Sequence, residues 1–228
     1  MNKSPVEIGG RSCFVRANGS PRVLLIQPCD ESDMRESDSG LALLSEREKD
    51  FIHVAFPVLS WNDDLSPWQA SPVFGKNGFG GQAERTLGFI NDVLIPVIRT
   101  RYVPDGDIPV VLGGYSLAGL FSLWAGYVCG SFSAVCAASP SVWFPGWIEF
   151  AKDRAPKAKV VYLSLGDREE KAKNPVMARV GDCIREQYSF LQSAKMASVL
   201  EWNEGNHFKD AGIRTAKGFV WCVENLKS

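Results

Sequence analysis

The sequence predicts an α/β chain: a three-layer αβα sandwich on a mostly parallel central sheet, with an antiparallel hairpin at its amino-terminal side. Three observations carry this. Short β-rich runs alternate with longer stretches of helical periodicity, the pattern that parallel strands and their crossover helices impose. The 228 residues are 45% hydrophobic and 22% charged, and no repeat, low-complexity tract or charged linker divides them, so residues 1–228 read as a single domain with a substantial core. Finally, no Asp, Glu, Lys or Arg occurs from Ile108 to Ile148, as expected where strand and helix are covered on both sides and charge cannot be solvated.

Each element follows in order. Residues 12–17 (SCFVRA) and 21–27 (PRVLLIQ) flank Asn18-Gly19, a dipeptide that accepts positive φ at both positions, and read as the two strands of the hairpin. A polar segment over 30–40 precedes a short helix near 41–49 and an apolar strand, FIHVAFPV, at 51–58. The loop 59–81 carries Trp61, Trp68, Phe74 and Phe79; connections this long in compact domains are usually functional or mobile. From Gln82 to Tyr102, Leu87, Ile90, Leu94 and Ile98 recur at helical steps, with a disturbance expected at Pro96, which lacks a backbone donor. Pro104-Asp105-Gly106 marks a turn, Pro109 to Gly113 a buried strand, and 117–129 a helix. Strands return at 132–138 and 159–165, with a mixed stretch, Trp143 to Arg154, between them. Met177, Val180, Ile184, Tyr188 and Leu191 space out a helix, Val199 to Trp202 a last strand, and Ile213 to Asn225 a closing helix.

Composition excludes several functions. With 25 Lys and Arg against 26 Asp and Glu, the net charge of -1 gives no reason to expect nucleic acid or an anionic membrane. The uncharged run is broken by Gly113, Gly114, Ser116, Gly126, Gly130, Pro140 and Pro145, so it does not read as a membrane span. The start, MNKSPVEIGGRS, lacks the apolar stretch of a secretory signal, which makes the cytoplasm the expected location. Six scattered cysteines without a CxxC read as reduced structural thiols, and two histidines argue against a zinc site.

The chemistry concentrates at Gly114-Tyr115-Ser116-Leu117-Ala118. A strand feeding Gly-x-Ser-x-small and then a helix is the setting of a nucleophile elbow, in which a strained turn lifts the serine hydroxyl above the sheet. The flanking positions must be small because strand and helix nearly touch; Gly114 fills one and Ala118, a methyl larger, the other. The amide of Leu117 then points to a developing oxyanion. A serine needs a base, and with this elbow the order is nucleophile, acid, histidine. Only His207 follows Ser116, in a polar loop after the last strand. His53, between Ile52 and Val54, reads as a sheet-face residue. The acid should follow the strand 159–165, where Asp167, Glu169 and Glu170 compete and spacing does not choose between them.

Beyond these motifs, the chain resembles the esterase family of the α/β-hydrolase superfamily that includes ferric-enterochelin and related siderophore esterases, esterase D, feruloyl esterases and mycolyltransferases. Phe79-Gly80-Gly81-Gln82-Ala83, Gly114-Tyr115-Ser116-Leu117 before Gly119-Leu120-Phe121, and Ser139-Pro140-Ser141-Val142-Trp143 carry the resemblance; Ala118 departs from it. The resemblance implies an α/β-hydrolase fold and places the acid of a Gly-x-x-Glu on Glu169, after Gly166, with Asp167 second. It also implies a second oxyanion donor in Pro28-Cys29-Asp30, the amide of Cys29, although the family's Asp-Gly is absent there. Trp61, Trp68 and Trp143 suit a substrate pocket as well as they suit plain core. The expected function is a serine carboxylic-ester hydrolase that takes a small or aromatic ester through an acyl-enzyme, with no metal or other cofactor. An acyltransferase, or a non-catalytic binding protein of the same fold, is the alternative.

Overall fold

The computed structural model describes residues 5–30, 40–103 and 106–226. The strands are β1 (Pro5–Ile8), β2 (Arg11–Ala17), β3 (Leu24–Cys29), β4 (Ile52–Pro57), β7 (Val110–Tyr115), β8 (Ala134–Ala138), β9 (Val160–Gly166) and β10 (Ala197–Asn203), with β5 (Gln69–Ala70) and β6 (Phe79–Gly80) forming a separate ribbon. The large sheet runs β1-β2-β4-β3-β7-β8-β9-β10. It is parallel from β4 to β10 and antiparallel at β1 and β2.

The amino-terminal hairpin exists one strand earlier than the sequence suggests. β1 pairs with β2 through Ile8 opposite Arg11, across Gly9-Gly10, whose φ values of 57° and 76° are those of a tight turn that twists with the strands. Asn18-Gly19 instead carries the chain from β2 past β4 to β3: β4 lies between them, antiparallel to β2 and parallel to β3. The physical reason is burial. Every residue of β3 is buried, whereas β2 alternates, so β3 belongs inside the sheet and β2 near its edge.

Helices cover both faces. They are α1 (40–47), α2 (Trp61–Asp64), α3 (Ala83–Phe89), α4 (Ile95–Tyr102), α5 (Leu117–Val128), α6 (Trp147–Lys152), α7 (Pro175–Ala178), α8 (Val180–Ser193) and α9 (Ala211–Leu226). Between α3 and α4 the chain makes a π-helical turn, Ile90–Leu94, with the Ile95 amide bonded to the Ile90 carbonyl. This is the disturbance expected of Pro96, which cannot supply the next α-helical bond. The mixed stretch after Trp143 contains α6, started by Gly146 at φ 81°. The turn at Pro104-Asp105 and most of the polar segment 30–40 fall outside the described residues.

Successive residues of β7 enter opposite layers. Val110 and Leu112 join one core with Leu120, Phe121 and Trp147, while Val111 joins another with Leu44, Tyr162, Phe219 and Cys222. From Leu117 to Tyr127, α5 is buried throughout, which accounts for the missing charges. Among the described residues no helix is long and apolar enough to cross a membrane. The carboxyl ends of β3, β7, β8, β9 and β10 share one edge of the sheet, the edge where α/β proteins place ligands.

Candidate active site

Ser116 stands alone between β7 and α5 with φ 57° and ψ -120°, a conformation that costs about 1–3 kcal/mol for a residue with a side chain. Its surroundings impose it. The Ser116 amide donates to the Ala138 carbonyl at 3.1 Å, and the Ser116 carbonyl accepts from Ser141 at 3.0 Å and Leu120 at 3.1 Å. Behind the turn, a methyl on Gly114 would lie 2.6 Å from the Ala118 Cβ. One methyl fits between β7 and α5 and two do not, so Ala118 is accommodated because Gly114 is bare. Leu117 opens α5, and its amide is one of the donors that helix geometry leaves without an intrahelical acceptor.

His207 and Glu169 reach Ser116 from the next loops along the sheet edge. His207 Nε2 is 3.0 Å from Ser116 Oγ, and Nδ1 is 2.7 Å from Glu169 Oε2. A carboxylate at Nδ1 fixes the proton there, so Nε2 is left to accept from the serine hydroxyl. The Glu169 side chain is 3% exposed and that of His207 28%. The other two acids point elsewhere. Asp167 accepts the Gly205 amide at 2.8 Å, bracing the loop before His207 rather than touching the ring, and Glu170 binds Arg185 at 2.9 Å. Burial opposes ionisation of Glu169 most strongly, but the hydrogen bond and charge of His207, the Ser139 hydroxyl and the Gly166 amide together outweigh it and hold its pKa below the ordinary 4.5.

These groups, with Ser139 and Ser141, open on a cavity of about 380 Å³ whose remaining lining is apolar, with Trp61, Phe74, Phe79, Trp143, Met177 and Phe208 its largest side chains. Phe79 and Phe74 each meet Trp143 edge-on, and Phe208, 87% exposed, stands edge-on to His207. Trp61 and Trp143 are thus among the residues lining this cavity. Trp68 is not among them: its indole donates to the Pro145 carbonyl at 2.8 Å and packs on Phe144 and Phe150, so it supports the Trp143 segment from behind. Cys29 ends β3, the neighbour of β7. Its buried thiol donates to the Gln27 carbonyl at 3.5 Å, and it is not among the residues lining the cavity. His53 is 2% exposed and bonded to Gln27 at 3.1 Å, remote from these groups.

No protein-family profile and no curated protein sequence matches the chain. Solved structures do. The siderophore hydrolase EstA from Aspergillus nidulans superposes with a TM-score of 0.71 at 20% identity, covering 100% of this chain and 94% of its own. An IroE-like serine hydrolase from Shewanella oneidensis gives a TM-score of 0.76 at 20% identity over 92% of this chain and 75% of its own. The enterobactin esterase FES from Shigella flexneri, in the presence of 2,3-dihydroxy-N-benzoyl-serine, gives 0.72 at 17% identity over 100% of this chain and 61% of its own. The chain has the α/β-hydrolase fold.

Within the hydrolase fold, residues other than Ser116, His207 and Glu169 hold this constellation in place. Ser139, at φ 41° after β8, donates to Glu169 Oε1 at 2.8 Å. Tyr115 donates to the His207 carbonyl at 3.0 Å; burial first, and the Glu169 charge second, push its pKa up to about 12. Ser141 Oγ lies 3.4 Å from Ser116 Oγ. Arg214, 2% exposed on α9, binds Glu169 Oε1 at 3.0 Å. Its signal was present: Arg214, Gly218 and Cys222 are spaced by helical turns and all buried, so a cation sat on the apolar stripe of an amphipathic helix. Among the described residues no cluster of three or more His, Cys, Asp or Glu is arranged to hold a metal.

Proposed function

We propose that the protein is a serine carboxylic-ester hydrolase working through Ser116, His207 and Glu169. The observation that supports this most is the unbroken relay from Ser116 Oγ to His207 Nε2 at 3.0 Å and from Nδ1 to Glu169 at 2.7 Å, set on a strained elbow at the mouth of a cavity. Ser116 Oγ attacks the ester carbonyl while Nε2 takes its proton, and the imidazolium so formed is stabilised by the Glu169 carboxylate. The Leu117 amide, beside Ser116 at the cavity, receives the oxyanion. The imidazolium returns the proton to the leaving alcohol, and a water activated by the same histidine then releases the acid from the acyl-enzyme.

An aromatic cavity next to the nucleophile suits a small or aryl-bearing ester, the kind of group that a benzoyl ring presents in the Shigella flexneri complex. Buried thiols at Cys13, Cys136, Cys183 and Cys222 fit a reducing, cytoplasmic setting. The test is a fluorophosphonate probe with peptide mapping, run beside a panel of chromogenic esters. Labelling at Ser116 is expected, together with a loss of turnover on the order of a thousandfold or more in a folded Ser116→Ala variant. Retained turnover, or labelling only elsewhere, overturns the reading.

A further inference from the structure

The guanidinium of Arg214 is buried from end to end, yet each of its terminal nitrogens is occupied. Nη1 donates to Glu169 Oε1 at 3.0 Å, Tyr115 Oη at 3.1 Å and Ser139 Oγ at 3.3 Å. Nη2 donates to the carbonyls of Glu204 at 3.0 Å and Asn206 at 3.2 Å. The first set surrounds the acid, and the second set is the backbone on either side of Gly205, immediately before His207. One planar group therefore spans both partners of the His207–Glu169 pair. The space around it is closed: a methyl on Gly166 would meet the Gly205 carbonyl, the Arg214 guanidinium and the Glu169 carboxylate together.

We propose that Arg214 is a positioning residue of the site, its guanidinium holding Glu169 as an anion with one arm and the His207 loop in register with the other. The inference rests on the ester-hydrolase reading. Its logic is that a carboxylate 3% exposed has two cationic partners among the salt bridges of the described residues, His207 and Arg214. His207 must be neutral for Ser116 to be activated, so Arg214 is the positive charge that persists when the base is ready to work. The other ionisable groups facing the pair do not replace it. Tyr115 stays neutral, the Asp167 carboxylate is turned to the Gly205 amide, and the Glu204 carboxylate pairs with Lys209 at the surface.

The charge and the fork make separable predictions, read on an uncharged chromogenic ester with wild-type protein alongside. Arg214→Met lowers kcat on the order of a hundredfold with little change in KM, because the histidine loses its register. Its kcat/KM profile also moves its acid limb up by about one pH unit or more, because removing a cation lets the His207–Glu169 pair take up a proton more readily. Arg214→Lys keeps the charge but not the fork, so its acid limb stays at the wild-type pH while kcat falls about tenfold. A role in folding alone would lower the melting temperature and leave the acid limb in place, and that outcome overturns the inference. Should Arg214→Met fail to fold, Arg214→Lys decides: wild-type kcat in that variant, or an acid limb displaced in it, overturns the proposal. Absence of turnover in the wild-type protein would count against the hydrolase reading, whereas a wild-type enzyme whose variants are indistinguishable from it counts against Arg214 only.

Discussion

Placing a methyl on Gly114 tests the packing behind the strained turn at Ser116. The added Cβ of Gly114→Ala would sit 2.6 Å from the Ala118 Cβ, 2.9 Å from the Ala118 carbonyl carbon and 3.0 Å from its oxygen. Gly114 is not among the residues with positive φ, so backbone strain adds nothing and the whole effect is overlap. Overpacked cores typically lose about 1–3 kcal/mol. Here two of the three contacts are backbone of a fully buried helix that cannot retreat, so the upper end, about 3 kcal/mol, is expected. For a chain of this size that lowers the melting temperature by roughly 6–12 °C. Ala118→Gly alone should cost about 1 kcal/mol through helix propensity. Combined with Gly114→Ala it removes the 2.6 Å contact and leaves the two backbone ones, so the double variant recovers part of the loss and the cycle shows coupling of about 1–2 kcal/mol. Urea unfolding of the four proteins measures all of this. A Gly114→Ala protein within about 0.5 kcal/mol of wild type, or a cycle with no coupling, would refute the claim that one methyl is all this crossing holds.

Three further outcomes follow from the same geometry. Trp143→Ala should raise KM for aryl esters about tenfold, whereas Trp68→Ala should cost about 2 kcal/mol of stability through lost packing and its bond to Pro145, with KM nearly unchanged; steady-state kinetics beside unfolding curves separates the two. Glu169→Gln should cut kcat by a factor on the order of a thousand to ten thousand, while Asp167→Asn, which disturbs only the brace on Gly205, should cost less than about tenfold. Because the Glu169 pKa is lowered on folding, its stabilisation is complete above the ordinary value of 4.5 and is lost as the pH falls from there through the folded value. Unfolding free energies measured from about pH 6 to pH 3 should decline more steeply for wild type than for Glu169→Gln.

Local signals in the sequence were faithful where structure is locally determined. The steps of Leu87, Ile90, Leu94 and Ile98, the Pro96 disturbance, and the strand-turn-helix around Ser116 all follow from neighbours within a few residues. Asn18-Gly19 misled because a turn-prone dipeptide specifies a turn but not which strands flank it in space; the insertion of β4 between β2 and β3 is a long-range decision made by burial. The acid was ambiguous for a related reason. Asp167, Glu169 and Glu170 occupy one short turn, and which carboxylate faces His207 depends on the path of the chain after Gly166, so the family resemblance, not spacing, singled out Glu169. Trp68 and Trp143 are equally aromatic on paper, and only the bond from Trp68 to Pro145 distinguishes a buttress from a wall. Arg214 was legible as a cation at helical spacing from the buried Gly218 and Cys222.

The dependence of the site on α9 orders events in time as well as in space. Ser116 leaves the ribosome long before Arg214, and at about 5–20 residues per second the interval between them is roughly 5–20 s. For most of it β7 already has both its sheet neighbours, β3 and β8, yet the proposed base, its acid and the cation that ties them are still unborn or unanchored. A nascent or prematurely terminated chain would therefore carry its serine at a strained turn with no means of using it. The proposed triad is completed only by the docking of the last helix.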